Sequence, residues 1–146
     1  NEWFVEKATE VGTDRFSPII SEFSERKRVK NERLLKIAIS AMKQSLRAYL
    51  PKIDEQINFD DFISIPFSGS KYIAHCYDMP KKPLAQSYKK GDNALVLLGP
   101  EGDFSKEEVR KAIDYGFEPV SLGNTRLRTE TAAIIAVHTF HVINSI

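Results

Sequence analysis

The sequence predicts an α/β domain with a mainly parallel sheet flanked by helices. Three observations predict it. Helix-type and strand-type patterns alternate along the 146 residues, the arrangement that yields parallel strands joined by crossover helices. Ala94–Leu98 (ALVLL) is apolar throughout, as a strand covered on both faces must be. Two glycine-bearing loops, Leu98-Gly99-Pro100-Glu101-Gly102 and Leu122-Gly123-Asn124-Thr125-Arg126-Leu127-Arg128, each follow a strand-type run and lead into a helix.

From the first residue onward, Glu2–Val11 reads as a helix, with Trp3, Phe4, Ala8 and Val11 near a 3.6-residue period and Gly12 as its stop. Arg15–Ile20 follows as a strand. The run Arg26-Lys27-Arg28-Val29-Lys30, extended by Arg33 and Lys36, is the densest basic stretch. It reads as a solvated face or, functionally, as a contact for phosphate groups. Asn31 caps a long helix to about Tyr49, closed by Pro51, with Leu34, Leu35, Ile37, Ala38, Ala41, Met42 and Leu46 as its apolar side. Gln44 and Arg47 lie one turn apart on it.

Asp60–Ile65 is short and ambiguous. Lys71–Tyr77 (KYIAHCY) alternates as a strand in a buried sheet, with His75 inside it. A lone histidine among apolar neighbours reads as a hydrogen-bonded core residue. Pro80–Pro83 and Lys89–Asp92 read as loops. Ser105 and Glu108 form a capping box that opens a helix from Lys106 to about Tyr115, which Gly116 closes. Glu118–Leu122 is the next strand. Thr129 caps a last helix, Glu130–Asn144, whose Ala132, Ala133 and Ala136 permit close packing. Ile134, Ile135, Val137, Phe140, Val142 and Ile143 cover most of its circumference. A helix apolar nearly all round must be buried, and a second copy related by two-fold symmetry is a natural cover, so a homodimer is expected.

Composition bounds the class. Hydrophobic content of 42% and charged content of 28% are those of an ordinary soluble globular domain, and the length suits one such domain. No apolar run approaches the ~20 residues of a membrane helix, and the acidic and aromatic start is not a signal peptide, so no membrane partner is expected. The single cysteine, Cys76, excludes an intramolecular disulfide and fits a reducing cytoplasm. It lacks partners for a zinc site of cysteine type and reads as a buried structural thiol. A formal net charge of +1 does not mark a nucleic-acid binder, so any RNA contact must rest on local positive charge.

Glycine at a strand exit lets the backbone approach a ligand closely. In open α/β sheets ligands bind outside the carboxyl ends of the strands. The two loops therefore suggest one small-molecule site built from both. Neither fits GxGxxG or GxxxxGK[ST], which leaves the ligand nucleotide-like and otherwise unspecified.

The pair LLGPEGDFS and SLGNTRLRTETAA resembles the two signature motifs of the 16S rRNA (uracil-N3)-methyltransferase family, in the SPOUT class of S-adenosylmethionine-dependent RNA methyltransferases. Lys7-Ala8-Thr9-Glu10-Val11-Gly12 and Gln44-Ser45-x-Arg47-x-x-x-Pro51 match two further motifs of that family, in the right order. Members often carry arginine where this chain has Thr125, after Asn124 and before Arg126, whereas Arg128-Thr129-Glu130-Thr131 matches throughout.

The resemblance implies a deep C-terminal trefoil knot, a rare exception to unknotted topology, with its crossings in the two glycine loops. It implies that residues 1–146 are the catalytic domain alone, without the barrel-like N-terminal RNA-binding domain of the family. S-adenosylmethionine would lie bent between loops 98–102 and 122–128, with the strand end near His75 as a third wall, and leave as S-adenosylhomocysteine. No metal is expected. The cofactor contacts would be Leu98, Gly99, Pro100, Glu101, Gly102, Leu122, Gly123, Leu127, Arg128 and Thr131.

Transfer to uracil N3 needs an unstacked uridine, loss of the N3 proton and in-line approach. Arg128 is the first candidate for a catalytic residue: its cation would bind phosphate or stabilise charge on the uracil carbonyls, but a guanidinium stays protonated and is no ordinary base. Glu130 would accept a proton or orient Arg128. Arg47, supplied by either subunit, would clamp RNA phosphate. The implied partners are 16S rRNA of the small ribosomal subunit and a second copy of the chain, in the cytoplasm. Two rival readings are a non-catalytic RNA- or ribosome-binding module on the same fold, and a SPOUT methyltransferase acting on tRNA.

Overall fold

The computed structural model describes residues 14–24, 31–45, 50–100, 102–123 and 127–146. The expected helix Glu2–Val11, the basic run at 26–30 and Arg47 lie outside the described residues. At the centre is a four-stranded sheet made of β5 (Ser70–Ala74), β6 (Lys82–Pro83), β7 (Ala94–Leu98) and β8 (Glu118–Ser121), in the order β6-β8-β5-β7. Every pairing in it is parallel. Two shorter parallel pairs precede it: β1 (Arg15–Phe16) with β3 (Lys52–Ile53), and β2 (Ile19–Ile20) with β4 (Ile57–Asn58). The expected strand Arg15–Ile20 is thus two strands. Pro18 interrupts it, since proline has no N–H to give to a ladder, and its carbonyl instead accepts from Ile57 N–H at 3.2 Å.

Helices cover both faces of the sheet. Along β5, Tyr72 and Ile73 point to opposite sides, as successive strand residues must. Ile73 and Leu97 pack with Phe104, Val109, Ala112 and Phe117, on the side of α2 (Phe59–Ile63) and α4 (Lys106–Asp114). Tyr72 and Val120 pack with Leu84, Tyr88 and Ala136, on the side of α3 (Leu84–Ser87) and α5 (Thr129–Ser145). The α4 boundary follows from its cap: Ser105 Oγ accepts from Glu108 N–H at 3.1 Å, and Glu108 Oε1 accepts from Ser105 N–H at 2.8 Å.

The helix α1 (Asn31–Gln44) buries Leu34, Ala38 and Ala41, but Leu35 is turned outward and belongs to its solvated face. Leu34 and Ala38 pack with Phe16, Ile53, Ile134 and Val137. The α5 helix therefore lies between the sheet and α1, which buries Ala133 and Ala136 within this chain. Val142 and Ile146 near its end remain exposed, at 44% and 82%. Among the described residues, no helix is long and apolar enough to cross a membrane.

Three further expectations are corrected. β7 has the expected bounds but only Leu97 is buried, because the strand lies at an edge of the sheet rather than inside it. β5 stops at Ala74, so His75 stands just past the strand's end. Residues 80–83, expected as loop, include β6, a two-residue edge strand that ends at Pro83, where a missing N–H is tolerated.

Candidate functional site

Strand register assembles the site. Ala74 is paired with Leu98 on one side and with Val120 on the other, so the chain leaves β5, β7 and β8 at the same end of the sheet. The chain passes from β5 past β8 to β6 and then crosses back to β7 on the other side of β5, which opens a crevice at these carboxyl ends. A cavity of about 430 Å³ lies there, within the ~300–1,000 Å³ typical of small-molecule sites. Leu98, Gly99, Pro100 and Asp103 form one wall, Ser121, Leu122, Gly123 and Leu127 the facing one. Ala74, His75, Cys76 and Lys81 close the β5 side, and Thr129 and Ala132 contribute from the first turn of α5.

The first wall is a tight reverse turn. Asp103 N–H donates to Pro100 O at 2.8 Å, and Asp103 itself takes a left-handed backbone conformation with φ 68°. Aspartate tolerates that region better than most residues, and here its carboxylate is used on both sides. Oδ1 accepts from Phe104 N–H at 2.7 Å and Oδ2 from Cys76 N–H at 2.9 Å. The second bond ties the glycine loop to the end of β5. Gly99 is needed for closeness: a Cβ there would sit 3.0 Å from Phe104 N and 3.1 Å from Asp103 C, both backbone atoms. Thr129 Oγ1 donates to Gly99 O at 2.8 Å, fastening α5 to the same loop. Thr129 is the first residue of α5 rather than its cap, and Arg128 stands at the cap position.

On the β5 side, His75 is buried, at 5% exposure. Its Nδ1 accepts from Tyr77 N–H at 3.1 Å, which assigns the proton of the neutral ring to Nε2. Burial pushes the imidazole below its ordinary pKa and the nearby Lys81 ammonium adds to this, while Asp103 opposes it. The ring is therefore neutral at pH 7. Nε2 is buried and has no hydrogen-bond partner among the described residues. Lys81 Nζ donates to Tyr77 O at 2.6 Å, and Tyr77 OH donates to Phe104 O at 2.6 Å. Cys76, expected as a buried thiol, is exposed, because β5 has already ended and the chain is leaving the sheet.

Of the residues singled out from sequence, Leu98, Gly99, Pro100, Leu122, Gly123 and Leu127 come together on this cavity. Gly102, Arg128, Glu130 and Thr131 are not among the residues that line it. Gly102 faces Phe23 instead, whose Cβ is 3.2 Å from where a Cβ of residue 102 would be. Arg128 and Thr131 are exposed and Glu130 is half-buried. Glu101 and Arg47 lie outside the described residues. Lys81, Asp103, Ser121, Thr129 and Ala132 join the lining without having been singled out as cofactor contacts. The strand exit at His75 signals part of this, but nothing local marks Lys81 or Asp103.

The pocket has an apolar part, from Leu98, Leu122, Leu127 and Ala132, and a polar part, from His75, Lys81 and Asp103. Such a surface suits a flat heterocycle joined to a polar chain.

Comparison with known proteins extends this. The chain matches the RNA methyltransferase domain family over residues 1–141. It is 32% identical over 142 residues to ribosomal RNA small subunit methyltransferase E of Synechocystis sp., an alignment covering 93% of this chain and 47% of that protein. A probable rRNA-methyltransferase from Porphyromonas gingivalis superimposes with a TM-score of 0.92 at 45% identity, covering 99% of this chain and 62% of that one. A ribosomal RNA small subunit methyltransferase E from Neisseria gonorrhoeae, solved bound to S-adenosyl methionine, superimposes with a TM-score of 0.86 at 28% identity, covering 97% and 60%. The chain thus spans about half the length of the first relative and about three fifths of each solved chain.

Proposed function

The chain belongs to the RNA methyltransferase domain family, and we propose that it binds S-adenosylmethionine in this cavity and methylates N3 of a uridine in 16S rRNA of the small ribosomal subunit. The observation that carries the reading is the cavity at the carboxyl ends of β5, β7 and β8, lined by both glycine-bearing loops. The residues fit the methyl donor: a cavity of suitable volume, aliphatic side chains for an adenine face, and an unpartnered imidazole N–H among its lining residues. The methyl donor bound to the Neisseria gonorrhoeae relative supports the same assignment.

When bound, S-adenosylmethionine supplies an electrophilic methyl group on sulfonium. Leu98, Leu122 and Leu127 exclude water from the pocket, and the Asp103 and Thr129 hydrogen bonds hold the Gly99 loop in place. Arg128, exposed where α5 meets the second glycine loop, offers a fixed cation to RNA phosphate or to the uracil oxygen on which charge develops. Glu130, two residues on, takes the N3 proton or orients Arg128. Arg47 contributes a phosphate clamp. In this reading residues 1–146 form the catalytic domain of a SPOUT enzyme with a C-terminal trefoil knot. Its functional unit is a homodimer, supported by the apolar α5 end that leaves Val142 and Ile146 exposed.

The test is methyl transfer from labelled S-adenosylmethionine to 16S rRNA, with nuclease digestion and mass spectrometry of the product. The expected product is 3-methyluridine, reduced at least roughly tenfold by Arg128→Ala, as for loss of one electrostatic contact in a transition state. A chain that binds the methyl donor but methylates tRNA and not 16S rRNA refutes the substrate assignment. RNA binding that ignores the donor and survives Leu122→Arg supports a non-catalytic module instead.

A further inference from the structure

Buried polar groups in folded proteins nearly always have hydrogen-bond partners, so one that lacks them calls for a physical account. Among the described residues, His75 Nε2 is such a group. The ring is fixed by two contacts: Nδ1 accepts from Tyr77 N–H at 3.1 Å, and the imidazole lies against the Tyr77 ring with centroids 5.9 Å apart. The first bond determines the tautomer and makes Nε2 a donor. A residue with only a packing role gains nothing from a buried N–H left without an acceptor, and an apolar side chain would serve better. His75 instead lines the 430 Å³ cavity, beside two charged residues.

Those two charges are not equivalent. Asp103 has both oxygens engaged, one by Phe104 N–H and one by Cys76 N–H. Among the described residues the Lys81 ammonium makes one short bond, to Tyr77 O, which leaves two of its three protons for other acceptors. The polar part of the cavity thus sets the side chain that carries this N–H beside a cation, a pairing that suits an anionic oxygen. A carboxylate satisfies both, and in the proposed methyl donor it lies on the amino-acid tail, at the far end from the adenine.

Resting on the methyl-donor reading, we infer that His75 Nε2–H and the Lys81 ammonium form the subsite for the amino-acid carboxylate of the donor, which directs the adenosine toward Leu98, Leu122 and Leu127. His75 here is a binding and positioning residue, and no proton leaves it.

The test is calorimetric titration of S-adenosylhomocysteine, which keeps the carboxylate, and of 5′-methylthioadenosine, which lacks the amino-acid tail. His75→Phe removes the donor and Lys81→Met the charge, while His75→Gln keeps an N–H at the far end of the side chain. Loss of one hydrogen bond to a charged acceptor predicts roughly tenfold weaker binding of S-adenosylhomocysteine for His75→Phe and for Lys81→Met, and less than about threefold for His75→Gln. Binding of 5′-methylthioadenosine is expected to change less than about threefold in all three variants. In the wild-type chain labelled with 15N-histidine, the Nε2–H resonance of His75 is expected to move downfield and exchange more slowly with S-adenosylhomocysteine, and to stay in place with 5′-methylthioadenosine. The inference is overturned alone if the wild-type chain binds S-adenosylhomocysteine but this resonance does not move. It is also overturned if both nucleosides weaken equally. A folded wild-type chain that binds neither overturns the methyl-donor reading as well.

Discussion

Replacing Thr129 by valine removes one hydroxyl and changes almost nothing else. Valine has the same branched shape and nearly the same helix propensity, so the first turn of α5 is not perturbed on its own account. What is lost is the bond from Thr129 Oγ1 to Gly99 O at 2.8 Å, in a partly buried position. A carbonyl deprived of its donor costs about 1–3 kcal/mol, with the lower half applying where water has access, so about 1–2 kcal/mol is expected here. For a chain of 146 residues each kcal/mol moves the melting temperature by about 3 °C. The expected change is therefore a fall of roughly 3–6 °C in thermal unfolding, with Thr129→Ser, which keeps the hydroxyl, losing less than half of that. Because the same bond fastens the loop that lines the cavity, affinity for S-adenosylmethionine should fall as well. A Thr129→Val protein that melts and binds like the wild type would refute the view that α5 holds the Gly99 loop.

Other expectations follow from separate parts of the molecule. Glu108 accepts from Ser105 N–H and also from Glu22 N–H at 3.0 Å, so Glu108→Ala should lower stability by about 1–2 kcal/mol in urea unfolding, with Glu108→Gln milder; equal midpoints would contradict the cap. Gly69 has φ +153° and a Cβ there would lie 2.3 Å from Asn93 O; Gly69→Ala should therefore cost about 2 kcal/mol or more, and a variant as stable as the wild type would show that the β5 entrance relaxes freely. Burial, aided by Lys81, depresses the His75 pKa in the folded chain. The unfolded chain then binds more protons, so the His75 contribution is complete above the ordinary value of about 6.5 and is lost as pH falls below it. His75→Gln should flatten that part of the stability–pH curve, and an unchanged slope would mean that the ring is not held neutral.

Much of the architecture was legible because it rests on local patterns. The period and cap at Ser105 and Glu108 placed α4, and the apolar run Ala94–Leu98 placed β7. The turn residues after β7 and β8 marked two loops whose side chains do meet on one cavity. What escaped depends on neighbours distant in sequence. Lys82–Pro83 is too short for any period and is a strand only because β8 lies beside it. Asp103 and Lys81 reach the cavity through the register of β5 with β7 and the turn at Tyr77, neither of which composition reveals. The apolar circumference of α5 pointed to a second subunit. Part of it is covered within the chain, by Tyr72 and Val120 on one side and by Leu34 and Ala38 on the other. Periodicity reports how many faces must be covered, and not by what.

The account stands on one cavity holding one methyl donor. The most direct measurement is calorimetric titration of S-adenosylmethionine into the wild-type chain and into Ala132→Phe, which fills the cavity from the first turn of α5. The predicted result is saturable one-site binding by the wild type, weakened at least roughly tenfold in a variant that remains folded, since a ring in the cavity displaces the ligand's apolar contacts. Equal affinity in both proteins would place the donor elsewhere, and no binding by the folded wild-type chain would contradict the assignment outright.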